Sequence, residues 1–215
     1  MPLPADYYTK SRSDLATHLD GTSHRVLDIG CGTGGLGASL KRSNVASEAI
    51  GIELDGRAAD TALATLDSIY LMDLSQEPLP SELGKFTAVF LADVLEHLPD
   101  PWKLLADLHP HLTGDAQLIA SIPNIGAVTV VYPLLLKDAF TYRDSGILDR
   151  THLRFFTRNS ALQLFRDTGY DAAVVGKNTV AVRRGPLLRA TASLLGRFGT
   201  EQWLIKASPR RSPIG

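Results

Sequence analysis

Apolar residues fall along this chain in short, mostly uncharged runs. "HRVLDIG" (24–30), "EAIGIEL" (48–54), "SIYLMDL" (68–74), "FTAVFLAD" (86–93), "AQLIASIP" (116–123), "YDAAVVGKN" (170–178) and "EQWLIKAS" (201–208) each predict a strand. Runs of this kind suit strands covered on both faces, as in a parallel sheet. Helix signals separate them. One follows a glycine turn near 35–43, and an alanine-rich one lies near 57–67. A third begins at Asp100-Pro101, a cap with proline in the first turn, and runs to about Leu108. A fourth runs from Asn159 to Thr168 and stops at Gly169. "GPLLRATASLLGRFG" (185–199) reads as an amphipathic helix, and the tail "PRRSPIG" is expected to fray. The alternation predicts an α/β fold with helices on both faces of the sheet.

Residues 124–157 break the rhythm. They hold "IGAVTVVYPLLL" (125–136) and then "FTYRDSGILDRTHLRFFT" (140–157), rich in aromatics and charge. A stretch this long inside a compact domain is either functional or contains elements the pattern hides. It is expected to act as a lid, inserted into a single domain spanning residues 1–215.

Composition changes this picture little. Of 215 residues, 44% are hydrophobic and 21% charged, as in an ordinary globular domain. "MPLPADYYTK" lacks the positive start and apolar core of a secretion signal, and the apolar run 125–136 is too short for a bilayer and holds a proline. A single cysteine, Cys31, fits a reducing cytoplasm. Charge is distributed unevenly: −9 over residues 1–150 and +8 over 151–215. The two parts either neutralise one another within one fold, or Arg183, Arg184, Arg189 and Arg197 rest on an anionic membrane surface.

The candidate chemistry starts at "VLDIGCGTGGLG" (26–37), where Gly30, Gly32 and Gly35 satisfy G-x-G-x-x-G and Glu53 lies about 20 residues on. Glycine spacing alone admits a nicotinamide dinucleotide. Asp28 separates the readings, because a carboxylate beside the loop repels a pyrophosphate and attracts a ligand bearing ammonium and sulfonium groups. S-adenosylmethionine carries both. Glu53 can accept both ribose hydroxyls, Asp73 the adenine amino group, and Asp93 ends the fourth strand. Acids at successive strand ends match the rule that open α/β sheets bind ligands beyond their carboxyl edge.

"VLDIGCGTG", "GIELD", "LMDLS" and "FLADVLEHLPDPWKLLADLHPHL" resemble the successive motifs of class I S-adenosylmethionine-dependent methyltransferases, over roughly residues 24–123. Within that family, "LEHLPDP" and "HLRFFT" resemble small-molecule O-methyltransferases related to ubiquinone biosynthesis and bacterial saccharide or secondary-metabolite enzymes. The resemblance implies a Rossmann-like, seven-stranded, mostly parallel sheet whose last strand is antiparallel. It implies cofactor contacts from Asp28, Gly30, Cys31 and Gly32 at the methionine end, and from Glu53 with the adjacent Leu54 at the ribose. Asp73 and Leu74 would meet the adenine, and Ala92 and Asp93 the amino-acid moiety. Tyr8 and Arg12 precede the first strand, where such residues close over the cofactor; Arg12 is equally readable as an exposed helix residue.

Methyl transfer to a hydroxyl needs an aligned nucleophile and a proton acceptor. His97, in "DVLEHL", and His152, in "DRTHLRFF", are the candidate bases. Asp93, Glu96 and His97 form D-x-x-E-H, similar to an E-x-x-E-H segment thought to bind a divalent metal in ubiquinone-type enzymes; the aspartate has the shorter reach, and no metal is assigned. Asp149 and Arg154 flank His152 either as part of a substrate pocket or as a structural ion pair, while Tyr132, Phe140 and Tyr142 either line an acceptor pocket or pin the insertion down. His109 and His111 read as helix-terminal residues at the far edge of the sheet, and Cys31 as a small loop residue. The sequence also admits two other functions: a nicotinamide-dependent reductase and a cofactor-binding module without turnover. A nucleic-acid substrate is not expected, since "ADVLEH" stands where base-amino methylation places N/D-P-P-Y/F. The expected partner is a small-molecule acceptor.

Overall fold

A computed structural model describes residues 12–179 and 195–210. Tyr8, Arg183, Arg184 and Arg189 lie outside these described residues, as does most of the amphipathic helix expected at 185–199. Its last part, Gly196–Gly199, is a 3-10 turn in which the Arg197 guanidinium lies 4.9 Å from the Phe198 ring centroid.

Strands β1 (His24–Ile29), β2 (Ala46–Glu53), β3 (Ser68–Leu71), β4 (Phe86–Ala92), β5 (Leu112–Pro123), β6 (Tyr170–Thr179) and β7 (Thr200–Pro209) form one sheet in the order β3-β2-β1-β4-β5-β7-β6. β1 to β5 pair in parallel. β7 lies antiparallel between β5 and β6. The helices are α1 (Ser13–Ala16), α2 (Gly35–Arg42), α3 (Gly56–Ala62), α4 (Pro101–Leu108), α5 (Val128–Lys137) and α6 (Arg158–Asp167).

Alternation along the strands divides the core between the two faces. Leu27, Ile29, Val89, Leu91, Leu118 and Ala120 point to one side and pack with Leu104, Leu105 and Leu108 of α4 and Leu162 and Phe165 of α6. Val26, Ala88, Phe90 and Ile119 point to the other and pack with Leu15, Leu36, Leu40 and Ala62. Both faces are covered, which is why the strands read as continuous apolar runs. Helix starts follow the expected capping chemistry. Asp55 accepts from the Arg57 and Ala58 amides, Asp100 accepts from the Lys103 amide at 3.0 Å ahead of Pro101, and Thr157 and Ser160 cap α6 reciprocally.

The larger differences from the sequence expectation lie in α3, β3, β5 and the 124–157 stretch. α3, expected near 57–67, ends at Ala62. β3 stops at Leu71, so Asp73 sits two residues beyond the strand in a turn, where its Oδ1 accepts from the Ser75 amide at 2.9 Å. β5 begins at Leu112 rather than 116. The expected irregular stretch contains α5, a helix with Pro133 inside it and only Val130 buried. Three valines, a threonine and a proline in ten residues argue against a helix locally, which is why the pattern hid it.

Candidate active site

The turn after β1 is tied to β2: the Gly30 amide donates to the Ile52 carbonyl at 2.8 Å, and the Cys31 amide does so at 3.2 Å. Gly30 has φ +68°, and a Cβ there would stand 2.8 Å from Val94 Cγ2. Both the conformation and the approach of the next loop therefore require glycine. Glu53, at the end of β2, organises the same loop from the other side. Its Oε2 accepts from the Gly32 amide at 2.8 Å, and its Oε1 from the Leu54 and Asp55 amides at 2.8 and 2.9 Å.

Asp28 lies at the foot of this arrangement, 2% exposed. Its Oδ2 is buried without a hydrogen-bond partner. Burial, with the Glu53 carboxylate beside it, pushes the Asp28 carboxyl up to about 7. Cys31, buried near the same acids, has its thiol pushed up chiefly by burial, which leaves it an unreactive packing residue.

A cavity of about 650 Å³ opens at the carboxyl edge of β1, β2 and β4. The structure brings to its wall every described residue that sequence reasoning assigned to cofactor binding. They are Asp28, Gly30, Cys31 and Gly32 from the first loop, Glu53 and Leu54 from the second, Asp73 and Leu74 after β3, and Ala92 and Asp93 after β4. Arg12 joins them. Tyr8 lies outside the described residues.

Asp93 adopts a left-handed conformation, φ +57°, held by polar contacts from three directions. Its amide donates to Ser121 Oγ at 3.0 Å, and that hydroxyl donates back to Asp93 Oδ1 at 3.0 Å. Gln202 Nε2 donates to Asp93 Oδ1, and the Arg12 guanidinium pairs with Asp93 Oδ2. Arg12 also donates to Gln202 Oε1 at 3.2 Å. Ser121 and Gln202 were not anticipated from sequence. The available signal was a polar residue near the end of an otherwise apolar strand run, but locating it at the site needs the strand order.

The two candidate bases occupy different depths. His97 lines the cavity, in the 3-10 turn Leu95–His97 that follows β4. Thr151, from the insertion, lines it too, and His97 Nδ1 lies 3.3 Å from the Thr151 carbonyl and 3.1 Å from its hydroxyl. His152 is not part of the cavity wall. It is buried, with Nδ1 3.0 Å from the Ile147 carbonyl, and meets the His97 ring edge-on at 4.7 Å. Burial, and then His152, hold the His97 imidazole below its ordinary value.

Of the two readings of Asp149 and Arg154, the ion pair does not form, and neither residue lines the cavity. Asp149 instead accepts from the Thr151 amide and hydroxyl, and Arg154 donates to the Pro99 carbonyl. Phe140 packs edge-on against Tyr142 and Phe155 at 5.6 and 5.8 Å, so these rings hold the insertion together while remaining partly exposed; Tyr132, on α5, is exposed. At the far edge, His109 bonds the Thr168 carbonyl and stacks on Tyr170.

Glu96 is 1% exposed, and neither carboxylate oxygen has a hydrogen-bond partner. Burial foremost, and then Asp93, push its carboxyl well above the ordinary carboxylate range. Ligand atoms of Glu96, His97 and His152 lie within 4.8 Å of one another, a donor set compatible with a divalent cation. Asp93, the remaining acid of D-x-x-E-H, is instead engaged by Arg12 and Gln202.

An unpartnered buried carboxylate oxygen, an acid organised at the end of β2 and a cavity of this size fit a cationic adenosine ligand better than a pyrophosphate. Comparison with known proteins supplies the chemistry. Residues 5–174 match a family model described as "Methyltransferase domain". A ubiquinone biosynthesis O-methyltransferase of Xanthomonas oryzae pv. oryzae is 30% identical over 169 residues, covering 73% of this chain and 67% of the relative. A tRNA U34 carboxymethyltransferase of Ectopseudomonas mendocina is 32% identical over 126 residues, covering 52% of this chain and 37% of that enzyme. The crystal structure of magnesium protoporphyrin IX methyltransferase from Synechocystis with bound S-adenosylhomocysteine (SAH) superposes with a TM-score of 0.60. It is 17% identical and covers 96% of this chain and 83% of that one, a likeness of fold.

Proposed function

The chain belongs to the class I S-adenosylmethionine-dependent methyltransferases, and we propose that it methylates an oxygen of a small-molecule acceptor held between the cavity and the 124–157 insertion. The observation that carries the reading of the cavity is the buried, unpartnered Asp28 oxygen in its wall, beside Glu53. Relatives named as O-methyltransferases support oxygen as the receiving atom. Family membership removes the nicotinamide reading.

In this reading Asp28 and the Gly30–Gly32 turn hold the methionine end, Arg12 meets its carboxylate, Glu53 and Leu54 take the ribose, and Asp73 and Leu74 border the adenine. When bound, the cofactor supplies a methyl carbon activated by its sulfonium. The chain's own task is to align the acceptor oxygen in line with that carbon, exclude water and accept a proton. In this reading His97, in the cavity wall, takes the proton, and its contacts with Thr151 support the assignment by orienting the ring. His152 acts from behind as a neighbour that keeps His97 neutral.

Titration calorimetry with S-adenosylmethionine (SAM) and with a nicotinamide dinucleotide tests the cavity; binding of the dinucleotide alone would sink the reading. In the same titration Glu53→Ala is expected to weaken the cofactor by about 2 kcal/mol, as charge-assisted hydrogen bonds to the ribose are lost. Unchanged affinity would remove Glu53 from the site. Methyl transfer to a simple catechol then separates an enzyme from a binding module.

The insertion is proposed as a lid because Thr151, near its end, forms part of the cavity wall while α5 stands largely exposed. Limited proteolysis is expected to cut residues 125–150 in the apo protein and to slow there when SAH and a catechol are added. Equal resistance in all states would mark a fixed structural element. No helix among the described residues is long and apolar enough to cross a membrane. A cytoplasmic setting is supported by the single reduced cysteine.

A further inference from the structure

Gln202 stands outside the cavity wall, yet both charged residues at one end of the cavity depend on it. Its carboxamide donates from Nε2 to Asp93 and accepts at Oε1 from Arg12. A second donor, Asn178 Nδ2, reaches the same Oε1 at 2.9 Å. Two donors at the oxygen and a carboxylate at the nitrogen fix the orientation of the amide.

The antiparallel strand explains how this residue arrives there. Gln202 lies near the start of β7 and pairs with Pro123 at the end of β5 and Asn178 near the end of β6. A parallel strand would bring its last residues to the carboxyl edge; β7 brings its first. Gln202 thereby joins Arg12, 190 positions earlier, to Asp93, whose backbone is left-handed.

The residue type matters. Asp93 can only accept and Arg12 can only donate, so a bridge between them needs both functions in one neutral group. A carboxylate at 202 would satisfy Arg12 and repel Asp93, and a hydrocarbon would satisfy neither. The Arg12 and Asp93 side chains are 15% and 33% exposed and both line the cavity. A ligand ending in an α-amino acid offers a carboxylate to the first and an ammonium to the second. An adenosine ligand without that end leaves the pair as it is.

We propose that Gln202 is a positioning residue that holds Arg12 and Asp93 in register for the α-amino-acid end of the cofactor, and so gives the cavity its preference for adenosine ligands that carry this end. The inference rests on the cofactor reading of the cavity given above.

The test compares two ligands that share adenosine and sulfur. SAH has the amino-acid end and 5′-methylthioadenosine lacks it. In calorimetry Gln202→Met is expected to weaken SAH about tenfold and to leave 5′-methylthioadenosine within about twofold of the parent. Arg12→Met gives a selective loss of the same kind, and the double variant loses less than the sum of the two single losses, because part of the amide's action runs through the guanidinium. Should Gln202→Met fail to fold, Asn178→Ala loosens the same amide and gives a smaller loss confined to SAH. Equal losses for both ligands, unchanged SAH affinity, or additive losses in the double variant would each overturn the inference. A parent protein that binds 5′-methylthioadenosine but gains nothing from the amino-acid end would overturn it while sparing the adenosine site. A parent that binds neither ligand would overturn the cavity reading and this inference together.

Discussion

Replacing His97 by Gln is expected to slow methyl transfer to a catechol by about 10²-fold or more while leaving SAH affinity unchanged, the signature of a lost general base. The expectation follows from depth. His97 lines the cavity, whereas His152 is buried behind it with Nδ1 at the Ile147 carbonyl. If His97 Nδ1–H donates to the Thr151 carbonyl, Nε2 carries the lone pair that accepts a proton. Burial and the His152 ring disfavour the imidazolium, so His97 stays neutral at pH 7. The sign of the pH effect is then fixed. Lowering pH through the His97 value protonates the base and slows the reaction, so the acid limb of the rate profile lies below the ordinary imidazole value. Because His152 disfavours the charged form of His97, His152→Gln should move that limb to higher pH and slow the reaction much less at pH 8. A His97→Gln enzyme with the parent's rate would remove His97 from the reaction, and a larger loss in His152→Gln would transfer the role.

The cofactor end of the site was more legible in the sequence than the acceptor end, for a physical reason. In a sheet covered on both faces each strand reads as an apolar run, and an acid that ends the run stands at the carboxyl edge whatever the order of the strands. Asp28, Glu53 and Asp93 could therefore be placed from local pattern, and Asp73 was displaced only by a strand ending two residues early. Gln202 could not be placed this way. Its role depends on β7 running backwards between β5 and β6; the family resemblance implies an antiparallel last strand, but nothing near residue 202 encodes that direction or the strand's place in the order. The relative depth of His97 and His152 was equally hidden, since it is set by how the insertion folds back, with the Leu153 and Arg154 amides donating to the Glu96 carbonyl. α5 was missed because its β-branched residues and Pro133 contradict helix propensity. Sequence also treats Asp28 as a standing charge. Burial changes that: near pH 7 this carboxyl is close to half protonated, and a cationic ligand favours its ionised form.

Asp28→Asn is therefore expected to move stability and binding in opposite directions. In the folded protein Asp28 keeps its proton up to about pH 7, whereas an unfolded chain releases it near about 3.9. Any stability tied to this raised value is fully present below the unfolded value. It is lost as pH rises, and the cost is complete above about pH 7, amounting at most to about 4 kcal/mol. Asparagine cannot ionise, so the variant should melt several degrees higher than the parent at pH 8 and with no gain at pH 4. Binding runs the other way. A sulfonium and an ammonium favour the ionised carboxylate, so parent affinity for SAM should rise with pH up to about 7, by no more than about tenfold per unit. The bound complex releases a proton measurable as a buffer-dependent heat. The variant should bind more weakly at pH 8 and lose that contribution to the slope. Calorimetry at pH 6, 7 and 8 with melting curves on the same samples reads both effects. A variant that binds as tightly as the parent with the same pH slope would show that the Asp28 charge does not select the ligand. A variant that melts no higher at pH 8 would show that the buried carboxyl carries no such cost in the fold.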